Sequence, residues 1–308
     1  SKQIAATDAD VIGFQEVFSV DALQDLVAAM GYPYFKVVDL PIVVDHAQNV
    51  YKSPVVAIAS RHPITQADTV DVPEPLLTHL QIQPQFQFSR LPIKATIDLP
   101  EVGLTTVYVA HLKSMRGNPP QSAADIQNNL QATTTEKAFA AAQGSSLGTV
   151  AALIQRSVEA TLIYYDVVEQ ISLDVNAPVV VMGDMNDTDA SLAVQSLSNQ
   201  YGQFNIGGHA PARWSEEEKL AAHQARLYDS YYLNPNQTGG KRTPTHYYGN
   251  EGHVLDYIFV SNAFNRNNSA CLAQISDYQV LDEHLMSQAI GNNKQSDHAM
   301  LLLELETT

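Results

Sequence analysis

The chain has a single cysteine, Cys271, among 308 residues, and this scarcity excludes both an intrachain disulfide and a cysteine-based zinc motif. Basic residues are also few: 17 Lys and Arg stand against 33 Asp and Glu, and the formal net charge is −16. A charge of this sign disfavours nonspecific binding to polyanions such as DNA. No run of 18 apolar residues occurs, so we predict a soluble protein without a transmembrane segment, in a compartment that the sequence leaves open.

Hydrophobic residues make up 45% of the chain, which suffices for a stable core. Short β-branched runs alternate with amphipathic stretches, a pattern that predicts an α/β fold. No internal repeat or linker divides the chain, and we predict one domain over residues 1–308 with no obligate protein partner. The predicted strands are 11–15, 55–60, 91–99, 105–110, 179–182, 227–232, 254–260 and 300–305.

The stretches between these strands carry helix and turn signals. A helix is predicted over residues 20–30, between Ser19 as N-cap and Gly31 just beyond its end. A stripe of apolar residues predicts a longer helix over 147–171, and segments 243–248 and 253–260 are predicted to form a hairpin. Residues 115–148 are rich in Ala, Gln, Ser and Thr and predict a surface insertion with one or two short helices, either a lid or solvated surface.

Polar side chains follow the strand over 179–182. Asp184 and Asn186 are two positions apart, so both lie on the same side if the backbone stays extended. Asp184 can then act as a base while Asn186 orients the same water or phosphate. Asp187 is expected to point away and to cap a helix that begins near residue 188 or 189.

Other strands end in groups of the same kind. Glu16 suits Mg2+, which keeps several waters and takes only one or two protein carboxylates, and Asp297 is the natural second carboxylate. Asp256 would stabilise the imidazolium of His298 if it approaches the ring. His111 ends a strand in the same way. Each residue alone is a weak signal, and only their joint occurrence indicates metal-assisted chemistry on a phosphate ester.

The chain resembles the endonuclease/exonuclease/phosphatase superfamily, typified by pancreatic deoxyribonuclease and apurinic endonucleases, over nearly its whole length. The resemblance is carried by the order of five segments: Gln15-Glu16, His111-Leu-Lys-Ser114, Gly183-Asp-Met-Asn-Asp187, Leu255-Asp-Tyr257 and Ser296-Asp-His298. A finer resemblance, to a bacterial branch, lies in residues 10–17, 111–114, 156–160 and 183–188. It implies a four-layered α/β sandwich with two facing mixed β-sheets flanked by helices.

The resemblance also implies a divalent-metal-dependent phosphoesterase, most readily a phosphodiesterase or nuclease. Glu16 and Asp297 would ligate Mg2+ or Mn2+. Asp184 would activate the attacking water and Asn186 would hold a phosphate oxygen.

The implied roles of the remaining residues concern substrate. Asp256 would orient His298, and His298 and His111 would bind phosphate oxygens and stabilise the transition state. Arg90 matches a phosphate-contacting position. Independently of the resemblance, Lys113 and Arg116 could reach phosphate if the insertion is a lid. The phosphate-ester substrate could be nucleic acid, although the charge of −16 weakens long-range attraction to DNA, or a small phosphoester.

One part of the superfamily pattern has no counterpart here. The superfamily opens with a strand that carries a metal-site Asn, and nothing before Asp10 can be that strand, since residues 1–7 read as the end of a helix. Leaving out a strand internal to a sheet exposes backbone groups along residues 11–15. We therefore expect the natural protein to be longer at its N-terminus.

Three alternatives accompany this interpretation. Gly144-Ser-Ser-Leu-Gly148 fits a nucleophile elbow with Ser146 as nucleophile, but the preceding residues 136–143 read as a helix where an elbow needs a strand. A noncatalytic binding protein on the same fold is the second alternative. Lys241-Arg242 could bind phosphate, with an exposed turn as the favoured explanation.

Overall fold

The computed structural model describes residues 2–45, 50–199, 204–237, 239–286 and 296–307. Its strands are β1 Val11–Val17, β2 Tyr34–Lys36, β3 Ile42–Asp45, β4 Val50–Ser53, β5 Val55–Ser60, β6 Ile64–Asp68, β7 Ile93–Leu99, β8 Gly103–His111, β9 Val179–Asp184, β10 Tyr228–Asp229, β11 His246–Tyr248, β12 Glu251–His253, β13 Asp256–Val260, β14 Ala273–Leu281 and β15 Met300–Thr307. Its α-helices are α1 Lys2–Thr7, α2 Val20–Ala29, α3 Glu74–His79, α4 Gln121–Asn128, α5 Thr134–Leu173, α6 Leu192–Ser198, α7 Glu216–Gln224, α8 Ser230–Leu233 and α9 Glu283–Met286. None of the described helices combines the length and the apolarity that a membrane crossing needs.

The larger sheet has the strand order β10-β13-β9-β8-β7-β6 among the described residues. Strands β8 and β9 run parallel and the other neighbours are antiparallel, so the sheet is mixed. All of β13 is buried, because this sheet is covered on both faces. Strands buried in this way are nearly continuous apolar runs. The crossover between β8 and β9 contains α5, as a parallel pair requires.

A smaller sheet with the order β1-β5-β2 faces the larger one. Val56 and Ile58 of β5 pack against Ile93 and Val109 of the larger sheet, which forms the core between the sheets. Helix α2 covers the outer face of the smaller sheet through Val27. Helices α5 and α6 cover the outer face of the larger sheet. The predicted four-layered α/β sandwich is confirmed.

Strands β14 and β15 form an antiparallel pair that packs against the larger sheet. Leu301 and Leu303 of β15 contact Ile258 and Val260 of β13. Strand β1 pairs with β5 along one edge, and no described strand pairs with its other edge or with the free edge of β15. A further strand before Asp10 in the natural protein stays a prediction.

The long helix differs most from the prediction. Helix α5 has 40 residues and begins with a capping box between Thr133 and Glu136. The elbow-like segment 144–148 lies within this helix, and its two glycines serve packing: a Cβ on Gly148 would lie 2.8 Å from the carbonyl oxygen of Asn118. Residues 115–148 thus contain α4 and the first part of α5, which continues without a break into the core.

Two strand predictions are wrong in their bounds. Residues 227–232 form only the short β10, because Asp229 caps α8 immediately afterwards. The predicted hairpin closes earlier, with β11 paired to β12, and β13 pairs with β9 and β10 in the larger sheet. The turn at Gly249 accounts for this, since its positive φ of 60° allows the chain to reverse directly after Tyr248.

Candidate active site

Three polar side chains lie in one row across the larger sheet. The strand register pairs His111 of β8 with Asp184 of β9, and Asp184 with Asp256 of β13. Nε2 of His111 lies 3.3 Å from Oδ2 of Asp184, and all three residues are buried. The apolar runs of these neighbouring strands therefore deliver the three side chains to the same edge of the sheet.

Gly183 allows β9 to approach β8 closely. Its φ is 140°, a value that residues with a side chain rarely adopt. A Cβ at this position would lie 1.9 Å from the carbonyl oxygen of Ala110. The glycine before Asp184 thus keeps the two strands paired up to the carboxylate itself.

Asn186 contacts Asp184 through a turn. Its backbone N–H donates to Oδ1 of Asp184 at 2.7 Å, and its side-chain Nδ2 donates to Oδ2 at 3.1 Å and to the carbonyl oxygen of Leu112 at 3.0 Å. The φ of Asn186 is 52°, so the backbone is left-handed here and the expected extended geometry is wrong. The two side chains meet because the turn lets Asn186 hydrogen-bond back to the preceding carboxylate.

His298 reaches this row from the segment before β15. Its Nδ1 lies 2.8 Å from Oδ2 of Asp256, and its Nε2 lies 3.9 Å from Oδ2 of Asp184. Burial alone would lower the pKa of His298, but the hydrogen bond with Asp256 and the charges of Asp256, Asp184 and Asp297 raise it to about 9. His298 is therefore an imidazolium at neutral pH.

The other two members of the row have shifted pKa values as well. Burial raises the pKa of Asp184 to about 7, and the negative charge of Asp256 acts in the same direction. Burial lowers the pKa of His111 well below its usual value, helped by the charges of Arg90 and His298. The site thus contains a carboxylate that titrates near neutrality, a neutral imidazole and an imidazolium.

Asp187 forms a buried ion pair with Arg156 of α5. Nε and Nη2 of Arg156 lie 2.8 Å and 2.6 Å from Oδ2 of Asp187, and Nη1 donates to the carbonyl oxygen of Lys113 at 3.1 Å. The prediction that Asp187 caps the next helix is wrong, since the N-cap of α6 is Ser191. Asp187 instead fixes the loop after β9 to the helix behind it.

Glu159, one turn further along α5, joins two loops of the site. It is 1% exposed, and it accepts hydrogen bonds from the backbone N–H groups of Ser89 and Lys113, both at 2.6 Å. Arg90 follows Ser89 and donates through Nη1 to the carbonyl oxygen of Leu112 at 3.2 Å. Helix α5 therefore holds the segment that carries Arg90 against the loop after β8.

Arg90 and Lys113, the predicted substrate contacts, differ in position. Burial lowers the pKa of Arg90. The negative charges of Glu159, Glu16 and Asp184 oppose this shift, because the guanidinium lies near these carboxylates. Nζ of Lys113 donates to the carbonyl oxygen of Arg116 at 2.8 Å and so stabilises the loop over 114–116. Contact of either residue with substrate stays a prediction.

Glu16 lies at an irregular point of β1. The register against β5 shifts between Phe14 and Val17, and the φ of Glu16 is 55°. This bulge interrupts the alternation of side chains along β1, and the carboxylate of Glu16 is exposed. A non-glycine residue with such a φ is strained, and strain of this kind concentrates at functional sites.

Asp297, the second predicted metal ligand, is also exposed, with Oδ2 at 3.8 Å from Nε2 of His246. The contact with His246 and the charge of His298 lower the pKa of Asp297 to about 2. Ionised carboxylate oxygens suit a hard cation. Glu16 belongs to neither of the ligand clusters found within the described residues, so its pairing with Asp297 around one metal stays a prediction.

No sequence pattern predicted His246 at this site. His246 forms an isolated β-bridge with His298, and the ring centroids of the two lie 4.7 Å apart. The sequence signal that could have found it is weak: His246 lies in a short strand just before the segment that carries Asp256. The bridge, which joins distant parts of the chain, brings it to the site.

Two alternative sites do not fit the structure. Arg242 pairs with the buried carboxylate of Asp229 and donates to the hydroxyl of Tyr278. A phosphate-binding turn would need a guanidinium that is not already bound to a carboxylate. Ser146 lies in the middle of α5, without the strand and sharp turn that a nucleophile elbow requires. The serine-esterase alternative therefore lacks its structural context.

Comparisons with known proteins bear on the family of the chain and on its fold. The sequence model described as "Endonuclease/Exonuclease/phosphatase family" matches residues 1–298. No curated protein matches the chain.

Solved structures share the fold. The human Nocturnin catalytic domain with bound sulfate is 16% identical, with a TM-score of 0.55 over 100% of this chain and 84% of that one. Humanized TDP2 of D. rerio is 14% identical, with a TM-score of 0.52 over 99% and 89%. An endonuclease/exonuclease/phosphatase from Beutenbergia cavernae DSM 12333 is 17% identical, with a TM-score of 0.50, and this chain spans 64% of its length. The family match over residues 1–298, together with this fold, shows that the chain belongs to the endonuclease/exonuclease/phosphatase family.

Proposed function

We propose that the protein is a divalent-metal-dependent phosphoesterase, of the phosphodiesterase or nuclease class, that hydrolyses its substrate by in-line attack of water. The observation that carries this proposal is the convergence of His111, Asn186 and His298 on the carboxylate of Asp184. A carboxylate, an amide and two imidazoles around one point match the needs of phosphoryl transfer, which depends on positioning and on charge stabilisation.

Asp184 is the base in this proposal. Its pKa of about 7 matches a group that must accept a proton near neutral pH. The N–H of Asn186 holds Oδ1, while Oδ2 faces His111 and His298. A water molecule bound at Oδ2 would give its proton to Asp184 as its oxygen attacks phosphorus and the ester bond on the opposite side breaks.

The two imidazoles stabilise the phosphate. His298 carries a positive charge at neutral pH because Asp256 binds its Nδ1, and its Nε2 is directed toward Asp184. His111 stays neutral and donates a hydrogen bond without adding a charge. Both would donate to the nonbridging oxygens, whose negative charge is redistributed as the ester bond breaks.

The carboxylates of Glu16 and Asp297 fit the metal that the family implies. Both are exposed oxygen donors at the edge of the site, and Mg2+ or Mn2+ takes one or two such ligands and keeps several waters. When bound, the ion would supply positive charge to the leaving oxygen. The charge of −16 leaves small phosphoesters as substrates alongside nucleic acid.

The test is hydrolysis of plasmid DNA, single-stranded RNA, a generic phosphodiester and a panel of phosphomonoesters, each with Mg2+, with Mn2+ and with a chelator. We expect turnover that requires metal and that falls by about 10²–10⁴-fold in Asp184→Asn, as removal of a general base does. Asp189→Asn, an exposed carboxylate of the same loop, is the matched control. Hydrolysis that persists in the chelator or in Asp184→Asn would contradict the proposal.

A further inference from the structure

A second cluster of ligand atoms lies beside the row formed by His111, Asp184 and Asp256. It consists of His246, Asp297 and His298. One ligand atom from each residue lies within 4.8 Å of the other two. Nε2 of His246 is 3.8 Å from Oδ2 of Asp297, and the two imidazole rings are tilted by 44° with centroids 4.7 Å apart. The proposed mechanism uses Asp297 and His298 and assigns no role to His246.

The spacing suits a small transition-metal ion. An ion held tetrahedrally at about 2.0–2.1 Å from nitrogen and oxygen ligands places those ligand atoms about 3.3 Å apart. The ligand atoms are now separated by at most 4.8 Å. Small rotations of the three side chains would shorten these distances to about 3.3 Å. Water would occupy the fourth position, as it does in open zinc sites.

The ligand types select the ion. Two imidazoles and one carboxylate suit Zn2+, whereas Mg2+ prefers oxygen ligands and retains its waters. Zn2+ also binds such sites more tightly than Mn2+ does. The imidazole of His246 thus makes this edge of the site better suited to Zn2+ than to Mg2+.

The surroundings of His298 support ligation. Asp256 accepts from Nδ1 of His298 and orients the ring, so that Nε2 binds a metal once the ion displaces its proton, an arrangement common in zinc sites. Nε2 of His246 faces Asp297, while its Nδ1 is buried and has no hydrogen-bond partner within the described parts of the chain. The ring of His246 is therefore held at the site by packing and by its contact with the cluster.

We propose that His246, Asp297 and His298 bind Zn2+, and that bound Zn2+ inhibits the enzyme. The inhibitory part rests on the proposed function, because Zn2+ would remove Asp297 and His298 from the roles assigned to them in hydrolysis. The binding part depends only on the geometry of the three residues.

Calorimetric titration of the full chain with Zn2+ in excess Mg2+ tests the binding. We expect one Zn2+ per chain, and an affinity reduced at least 100-fold in His246→Phe, since loss of a second-shell partner alone costs about 10–100-fold. The matched control is His209→Phe, which removes an exposed imidazole that is also paired with a carboxylate, Glu218. His246→Gln, which keeps a polar side chain, guards against misfolding of the first variant, and thermal unfolding checks both.

Inhibition is then measured with the ester that the wild-type protein hydrolyses. Zn2+ should inhibit at the concentration that fills the calorimetric site, and His246→Phe should shift the inhibition curve by the same factor as the binding curve. Absence of a stoichiometric site, or equal affinity in wild type and His246→Phe, would overturn the inference while Mg2+-dependent hydrolysis stands. Stoichiometric binding without hydrolysis of any ester would support the site and contradict the proposed function.

Discussion

The carboxylate of Asp256 lies 2.8 Å from Nδ1 of His298 and so directs the opposite ring nitrogen toward Asp184. This contact joins β13, which lies between β10 and β9 in the larger sheet, to the segment before β15. Because Asp256 carries a negative charge, it fixes both the orientation of the ring and its protonation. The imidazolium of His298 thus depends on one partner that can be removed by mutation.

Asp256→Asn should lower the pKa of His298, because the substitution removes both the charge and the accepting carboxylate that raise it to about 9. In the proposed mechanism the protonated ring donates to phosphate, so the alkaline limb of the pH–rate profile should move toward lower pH. The measurement is kcat/KM against pH, with Asp68→Asn, an exposed carboxylate, as control. An unchanged alkaline limb would show that His298 is not the group that titrates there.

The acid limb should report Asp184. Its pKa of about 7 lies above the usual aspartate value, and only the deprotonated carboxylate can accept a proton, so activity should rise as the pH increases through about 7. Substitution of the neighbouring Asp256 by Asn removes a charge that raises this pKa, and the acid limb should then move to lower pH. A wild-type acid limb near pH 4 would contradict a base buried in this way.

Arg156→Met should destabilise the protein by about 3–5 kcal/mol, because it leaves the carboxylate of Asp187 buried without a partner. The double variant Arg156→Met/Asp187→Asn removes the unpaired charge and should recover part of this loss. Urea unfolding of the wild type, both single variants and the double variant gives the coupling energy. Additive effects of the two substitutions would mean that the pair contributes nothing as a pair.

Gly183→Ala should cost more than about 3 kcal/mol, because the new Cβ meets a backbone carbonyl and the residue keeps a φ that alanine disfavours. Gly240→Ala is the matched control, since its Cβ would meet nothing within 4 Å, and it should change stability by less than about 1 kcal/mol. The free energy of unfolding from denaturant titration compares the two. Equal effects would show that β8 and β9 can separate locally without loss.

The sequence predicted the parts of this fold that local pattern determines. The bounds of β5 and the start of β9 follow from uninterrupted apolar runs, and those runs also place Asp184 at a strand end. The ends of strands and helices were less predictable, because neighbours in space decide them. Strand β10, for example, stops at Asp229 because that side chain caps a helix.

The features that the sequence did not predict depend on contacts between distant residues. Asp187 pairs with Arg156 instead of capping a helix, and no local pattern distinguishes a capping carboxylate from one that finds a distant guanidinium. His246 joins the site through a bridge to His298. Asn186 meets Asp184 through a left-handed turn, although the spacing of two suggested a strand.

The parallel pairing of β8 with β9 also determines when His111 and Asp184 can come together during folding. His111 and Asp184 become neighbours only after the crossover that contains the 40-residue helix α5 has closed. Pairings between such distant segments form late, because the entropy of closing a long loop must first be overcome. Hairpins and helices can therefore be complete in a refolding chain in which His111 and Asp184 are still apart, and the proposed hydrolytic activity should return with the slowest phase of folding.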